Sequence, residues 1–370
     1  NNGNMYSGYN ESIVSGADNV GGIIGTNAAD KKVENVVNAT GVEGTNNVGG
    51  LIGDNHGNVT NGRNNGTITG VKYVGGMVGS NGKNSTLTNL VNDSSAAITG
   101  EQYVGGIAGS NAGTITTGNK ETDETVNLIN RGTITGQQYV GGVAGSNSGT
   151  ITNANNDVEL NVKDSTADAE FFGGIAGENT KGGIIKNATN TADVNADGAT
   201  YVGGIVGKND GTLENMAGNS GNVTGENYVG GVAGLNTNNK PLNGVEASNS
   251  GTVFATAGGA GGIFAVNNAN ITNSKLTNNG TVIGNSGNGT GGIFGVNTGN
   301  ISTSSLINEV DGQVIGTNNV GGLIGVYATR DKVRNCYVTG SSVSGASNVG
   351  GLIGNQNVLG TTVNCYTKTN

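Results

Sequence analysis

One histidine and two cysteines are the only imidazole and thiol groups in this 370-residue chain: His56, Cys336 and Cys365. A nitrogen- and sulfur-ligated metal centre takes three or four such groups from facing positions, and these three do not supply one. General acid–base chemistry needs carboxylates held against one another or against a base. Acidic residues concentrate in two stretches, KETDET at Lys120–Thr125 and DVELNVKDSTADAE at Asp157–Glu170. Both are insertions in an otherwise regular pattern, so they are expected as solvated surface loops. An active site on Asp157, Glu159 and Asp164 that cleaves polysaccharide is the enzymatic alternative. The HExxH, GxSxG and phosphate-loop motifs are absent, and their chemistry with them. No catalytic residue, cofactor or metal is assigned, and the chain is expected not to be an enzyme.

The remaining polar chemistry is repetitive. A Gly-Gly pair begins at Gly21, Gly49, Gly75, Gly105, Gly141, Gly173, Gly203, Gly230, Gly261, Gly291, Gly321 and Gly350. Self-similarity at about thirty residues is the signature of a repeat architecture. Counted from the first glycine as zero, the position at plus six holds Asn27, Asn55, Asn81, Asn111, Asn147, Asn179, Asn209, Asn236, Asn267 and Asn297, then Tyr327 and Gln356. Stacked asparagines form an amide ladder, each side chain donating to its copy in the next repeat; a ligand-binding amide row is the functional alternative. At minus two, Tyr73, Tyr103, Tyr139, Phe171, Tyr201 and Tyr228 occupy six successive repeats, with asparagine (Asn19, Asn47, Asn319, Asn348) nearer the ends. Such a stripe either covers a seam or forms a binding face for sugar rings or a partner.

The elements that position these columns are short strands. The third repeat has three apolar segments, Tyr73–Gly79, Thr86–Val91 and Ala96–Gly100, separated by Asn, Gly, Ser and Asp. Segments this short with β-branched centres read as strands, and the glycines disfavour helix by about 1 kcal/mol each. Three strands per thirty residues predict an all-β chain: one parallel β-solenoid over residues 1–370, of about twelve coils. A propeller needs longer, four-stranded blades. The single proline, Pro241, lies in a loop-like stretch, as expected where nearly every backbone N–H serves a ladder.

Plus two is always a large aliphatic, from Ile23 and Leu51 to Leu352, and forms the core spine. Plus three is also apolar, including Phe264 and Phe294. Neighbours in a flat strand point to opposite faces. Either the chain bends between these positions, the default expectation, or an apolar stripe runs outside and drives lateral association. Plus fifteen carries Val36, Leu90, Val245, Leu276, Leu306, Cys336 and Cys365. The cysteines are thus expected as reduced, buried packing residues one coil apart, although the spacing also permits a bridge. Thr-x-Thr triplets at 67–69, 114–116, 133–135 and 150–152 raise an ice-binding alternative, but the row breaks to Phe254, Val282-Ile283 and Val314-Ile315.

The formal net charge is −9 and the 17 Lys and Arg are scattered, so nucleic acid is not an expected partner. No apolar run approaches the ~18–20 residues of a membrane span, and membrane insertion is not expected. The chain begins at Asn1 rather than Met, as a mature form or an excised region would. Neither end carries an evident cap, although solenoids usually need one. A window cut from a longer chain, or copies stacked end to end, would account for that.

The element GG[ILVM][IVAF]G, best seen as VGGLIG at Val48–Gly53, Val320–Gly325 and Val349–Gly354, together with NCYVTG…VSG at Asn335–Gly345, resembles the GLUG-motif repeats of bacterial surface and secreted proteins. The resemblance spans all twelve repeats; Ala or Phe at plus three departs from the tighter motif in mid-chain. It implies a non-catalytic, extracellular or cell-surface bacterial solenoid, a stiff stalk or filament-forming segment of an adhesin or filamentous-haemagglutinin-like protein. Its partners would be other copies of itself or a host or cell-surface glycan or protein. The non-catalytic region of a secreted zinc metallopeptidase is another member of the implied group.

Overall fold

The computed structural model describes residues 1–93, 95–116, 129–162, 168–215, 218–237, 240–285, 287–302, 304–309, 312–329, 332–339, 342–357 and 361–368. Among these residues there is no helix, and every strand pairing is parallel. The chain is a parallel β-solenoid of about 11 turns at about 29-residue spacing. It divides into two compact units, Asn1–Asp164 with Gly174–Ala192, and Ser165–Gly173 with Asp193–Asn370.

In the first unit, the coil that follows Gly75 shows the plan. A first wall, Val78–Asn81, leads to a second, Thr86–Asn92, and then to a third made of Ile98–Thr99 and Gln102–Gly105. The stretch Tyr73–Gly79 is therefore not one strand. A corner cuts it, so Lys72–Gly75 ends the third wall of one coil and Val78 starts the first wall of the next. Register is like on like: Val78 pairs Ala108, Asn81 pairs Asn111, Leu87 pairs Ile115 and Gly75 pairs Gly105. In the second unit, Phe264 pairs Phe294, Leu276 pairs Leu306 and Val282 pairs Val314. The partner of Leu276 in the preceding coil is Ala247, not Val245. Loop length shifts the plus-fifteen phase there, and both residues are buried.

The corner settles the question posed by plus two and plus three. Met77 and Val78, Ile107 and Ala108, Ile263 and Phe264, and Ile293 and Phe294 are all fully buried. The chain bends, both side chains enter the core, and Phe264 and Phe294 offer no external stripe. Positive φ is not what the paired glycines supply, since among the described residues the positive-φ glycines are Gly198, Gly218, Gly244 and Gly289. They supply room. A Cβ on Gly75 would lie 2.0 Å from the Val78 carbonyl oxygen, because the corner folds that carbonyl back onto it. A Cβ on Gly76 would lie 2.2 Å from the Gly106 carbonyl oxygen of the next coil and 2.8 Å from Cγ of Asn92.

The second acidic insertion is only partly a loop. Leu160–Val162 is a third-wall strand that pairs Ile134–Gly136, with Leu160 in the core and Asp157 and Glu159 exposed. Asp164 and the whole of Lys120–Thr125 lie outside the described residues.

Gly76→Ala forces a methyl into backbone that the next coil holds in place. It is expected to cost about 3 kcal/mol, the upper part of the usual overpacking range, measured by urea denaturation. Gly3, whose Cβ would meet nothing within 4 Å, is the control, and Gly3→Ala should leave the midpoint unchanged.

Candidate functional site

The plus-six asparagines form a continuous buried ladder within each unit. In the first, Asn27 Nδ2 donates to Asn55 Oδ1 at 2.9 Å, Asn55 to Asn81 at 2.9 Å, Asn81 to Asn111 at 2.8 Å, Asn111 to Asn147 at 2.8 Å and Asn147 to Asn179 at 2.9 Å. In the second, Asn209 donates to Asn236 at 2.8 Å, Asn236 to Asn267 at 2.6 Å and Asn267 to Asn297 at 2.7 Å. Many of the same NH2 groups also donate to a carbonyl two residues on, as Asn55 does to Gly57. An amide that does both closes its own turn and bonds to the next coil. With every described member buried, the row has no face left for a ligand. Tyr327, fully buried, pairs Asn297 in the following coil, and Gln356 is exposed.

A second amide ladder was not visible in the sequence. It runs through Asn38, Asn64, Asn92, Asn130, Asn156 and Asn190 in the first unit, and through Asn219, Asn249, Asn278 and Asn308 in the second, all buried. Asn38 donates to Asn64 at 2.8 Å, Asn64 to Asn92 at 2.9 Å, Asn219 to Asn249 at 2.8 Å and Asn249 to Asn278 at 2.9 Å. It breaks between Asn130 and Asn156, whose Oδ1 accepts no hydrogen bond. This is the ladder against which the second glycine of each pair packs. Where Val338 stands in its place, a Cβ on Gly322 would lie 3.0 Å from Val338 Cγ2, and still 2.1 Å from the Gly351 carbonyl oxygen of the next coil.

The aromatic column occupies left-handed backbone throughout: φ is +56° at Tyr73, +57° at Tyr103, +55° at Tyr139, +62° at Phe171, +61° at Tyr201 and +55° at Tyr228. Asn19, Asn47, Asn319 and Asn348 share the conformation at the same phase. Asparagine tolerates this region and a large side chain is strained there, by about 1–2 kcal/mol. The conformation brings the backbone against the third glycine of the motif in the next coil; a Cβ on Gly109 would lie 2.3 Å from the carbonyl carbon of Tyr73.

Stacking offsets the strain. Ring centroids are 4.9 Å apart for Tyr73 and Tyr103 and 4.6 Å for Tyr103 and Tyr139 in the first unit. In the second they are 5.5 Å apart for Phe171 and Tyr201 and 5.2 Å for Tyr201 and Tyr228. Lys72 Nζ lies 5.0 Å from the Tyr73 ring centroid, and Lys208 Nζ lies 5.7 Å from that of Phe171, both within cation–π range. Within each set the ring faces cover one another in a half-buried row. A sugar ring seated face-on would have to displace a neighbouring ring.

Burial first, then the neighbouring Tyr228 and Glu170, raise the Tyr201 phenol above its ordinary 10.0. The folded chain thus favours the neutral phenol. The contribution of this group to stability is whole below pH 10.0 and is lost as pH climbs through the raised value.

Cys336 and Cys365 are joined in a disulfide, which corrects the expectation of reduced thiols. Like-on-like register makes the two residues direct partners on adjacent strands and sets their Cα atoms 4.6 Å apart, inside bridging range. His56 Nε2 lies 3.0 Å from Asp54 Oδ2 at the surface, and no cluster of metal-binding groups occurs among the described residues. The threonine triplets do not share a row. Those at 67–69 and 133–135 belong to the third wall, whereas 114–116 and 150–152 stack with Thr86 and Thr88 on the second. No family model, curated protein or solved structure matches the chain.

Asn249→Val leaves the Asn278 amide oxygen buried without its donor, so it is expected to lower stability by about 1–3 kcal/mol, read from a denaturation midpoint. At the aromatic column, backbone and ring effects separate. Tyr103→Val should destabilise by roughly 2 kcal/mol, losing the stacking while keeping a strained, β-branched residue. Tyr103→Asn should fall within about 1 kcal/mol of the parent, because relief of strain offsets the lost stacking.

Proposed function

We propose that the chain is a non-catalytic structural and adhesive solenoid of a bacterial cell surface or secreted protein, a stiff stalk or filament-forming segment of the GLUG-repeat type. The observation that carries this reading is where the buried polar chemistry goes. Two amide ladders link coil to coil in each unit, and the glycine seam lets the coils close on one another. These groups resist separation along the stack, as a load-bearing or display element requires.

The disulfide supports the extracellular part of the reading, since such bonds persist in oxidising compartments. In the first unit many outward wall residues are hydroxyl or amide side chains, among them Ser80, Ser110, Thr86, Thr114 and Gln102, a hydrogen-bonding surface suited to glycan or protein partners. In the second, Leu235, Val266, Val296, Phe254, Ile283 and Ile315 stand at outward positions. Ice binding would rest on the threonine grid of the second wall, which spans three coils and ends at Ile184–Lys186.

Displayed on a non-adherent bacterium, the chain is expected to raise attachment to glycan-coated or protein-coated surfaces well above cells displaying an unrelated protein. Attachment at the control level, combined with a chain that stays monomeric at every concentration, would sink the reading.

A further inference from the structure

We propose that the stacked tyrosines are an oxidative cross-linking site, at which rings on adjacent coils couple into dityrosine and staple the coils covalently. Two observations carry it. The first is pairing. Tyr103 and Tyr139 lie 4.6 Å apart and 9° from parallel, Tyr73 and Tyr103 lie 4.9 Å apart at 22°, and Tyr201 and Tyr228 lie 5.2 Å apart at 12°. All are half-buried, and the rings of each pair come from adjacent coils in like-on-like register. Two radicals formed on such a pair meet within one molecule, and this proximity favours coupling over encounter between chains. The second is placement. The position is left-handed backbone that asparagine fills in other coils, so the rings are not required by the fold and are held there against strain.

The oxidant is hydrogen peroxide used by a haem peroxidase. The enzyme takes one electron and one proton from each of two phenols, and the peroxide is reduced to two waters. The two phenoxyl radicals share spin density with their ortho carbons, which form the new carbon–carbon bond. The two ring hydrogens displaced there move to the phenolic oxygens as the rings regain aromaticity, so the pair loses two hydrogen atoms overall. Phe171, stacked at 5.5 Å on Tyr201, has no phenol and cannot couple. Tyr6 and Tyr9 are 59% and 64% exposed and carry no stacked ring, so they are open only to coupling between chains or after unfolding. The proposal stands apart from the adhesive reading, because it concerns what the rings do and not what the surface binds.

The test treats the dilute, folded chain with a haem peroxidase and hydrogen peroxide and maps the linked peptides by mass. The expected result is monomeric product with dityrosine fluorescence and links joining Tyr103 to Tyr73 or Tyr139, Tyr201 to Tyr228, and the second-wall pair Tyr337 to Tyr366, stacked at 5.7 Å. Tyr103→Phe keeps a ring at a phase where Phe171 already stands. It should reduce Tyr103 links to background and leave the yield at Tyr201–Tyr228 unchanged. The same treatment in denaturant should scatter the links and bring in Tyr6 and Tyr9. Absence of links within the chain, an identical pattern before and after unfolding, or products dominated by Tyr6- and Tyr9-linked dimers would each overturn the proposal.

Discussion

A buried amide must find both a donor and an acceptor, and in a stack of coils both come from the same residue one turn away. That constraint governs this molecule. Away from the break at Asn130 and Asn156 and from the ladder ends, a ladder asparagine accepts from the coil before and donates to the coil after, and most also close a local turn. A slip of a single residue in one coil would leave a buried amide oxygen and a buried NH2 group unpaired in two places at once, each costing about 1–3 kcal/mol. The ladders therefore hold register more tightly than the aliphatic core does, since Val, Ile and Leu exchange with modest loss.

The glycines follow from the ladders. At the corner the chain must place two consecutive apolar side chains inward, which a flat strand cannot do. The bend presses the carbonyl of the plus-three residue onto the first glycine, and it presses the second glycine onto the amide ladder and the next coil. Three unlike features, the paired glycines, the buried asparagines and the inward pair at plus two and plus three, are one packing solution. The left-handed residue at minus two completes the corner, and the third glycine of the motif makes room for it.

The exterior is less constrained. Asparagine and the six aromatic residues adopt the same left-handed backbone at minus two, the aromatics with a strain that their stacking offsets. The ring faces are used in stacking, and each of the six is half-buried. The cross-coil disulfide shows that like-on-like register can bring reactive side chains into bonding range without a dedicated site. The tyrosine pairs are placed by the same register.

The sequence alone determined whatever sits at a constant distance from the glycine pair: the parallel solenoid, the aliphatic spine, the first amide ladder and the aromatic column. These are legible because the corner and first wall contain no insertions, so phase in sequence equals height in the stack. Only the tertiary structure decided the rest. Asn64 follows Gly49 by 15 residues, Asn92 follows Gly75 by 17 and Asn130 follows Gly105 by 25, so the turns between walls absorb variable lengths and scatter the second ladder in sequence while stacking it in space. The split of Tyr73–Gly79 between two walls, the left-handed backbone under the tyrosines and the bond between Cys336 and Cys365 were likewise hidden. Each depends on how closely one coil approaches the next, a distance that residue types and spacing leave open and that packing sets.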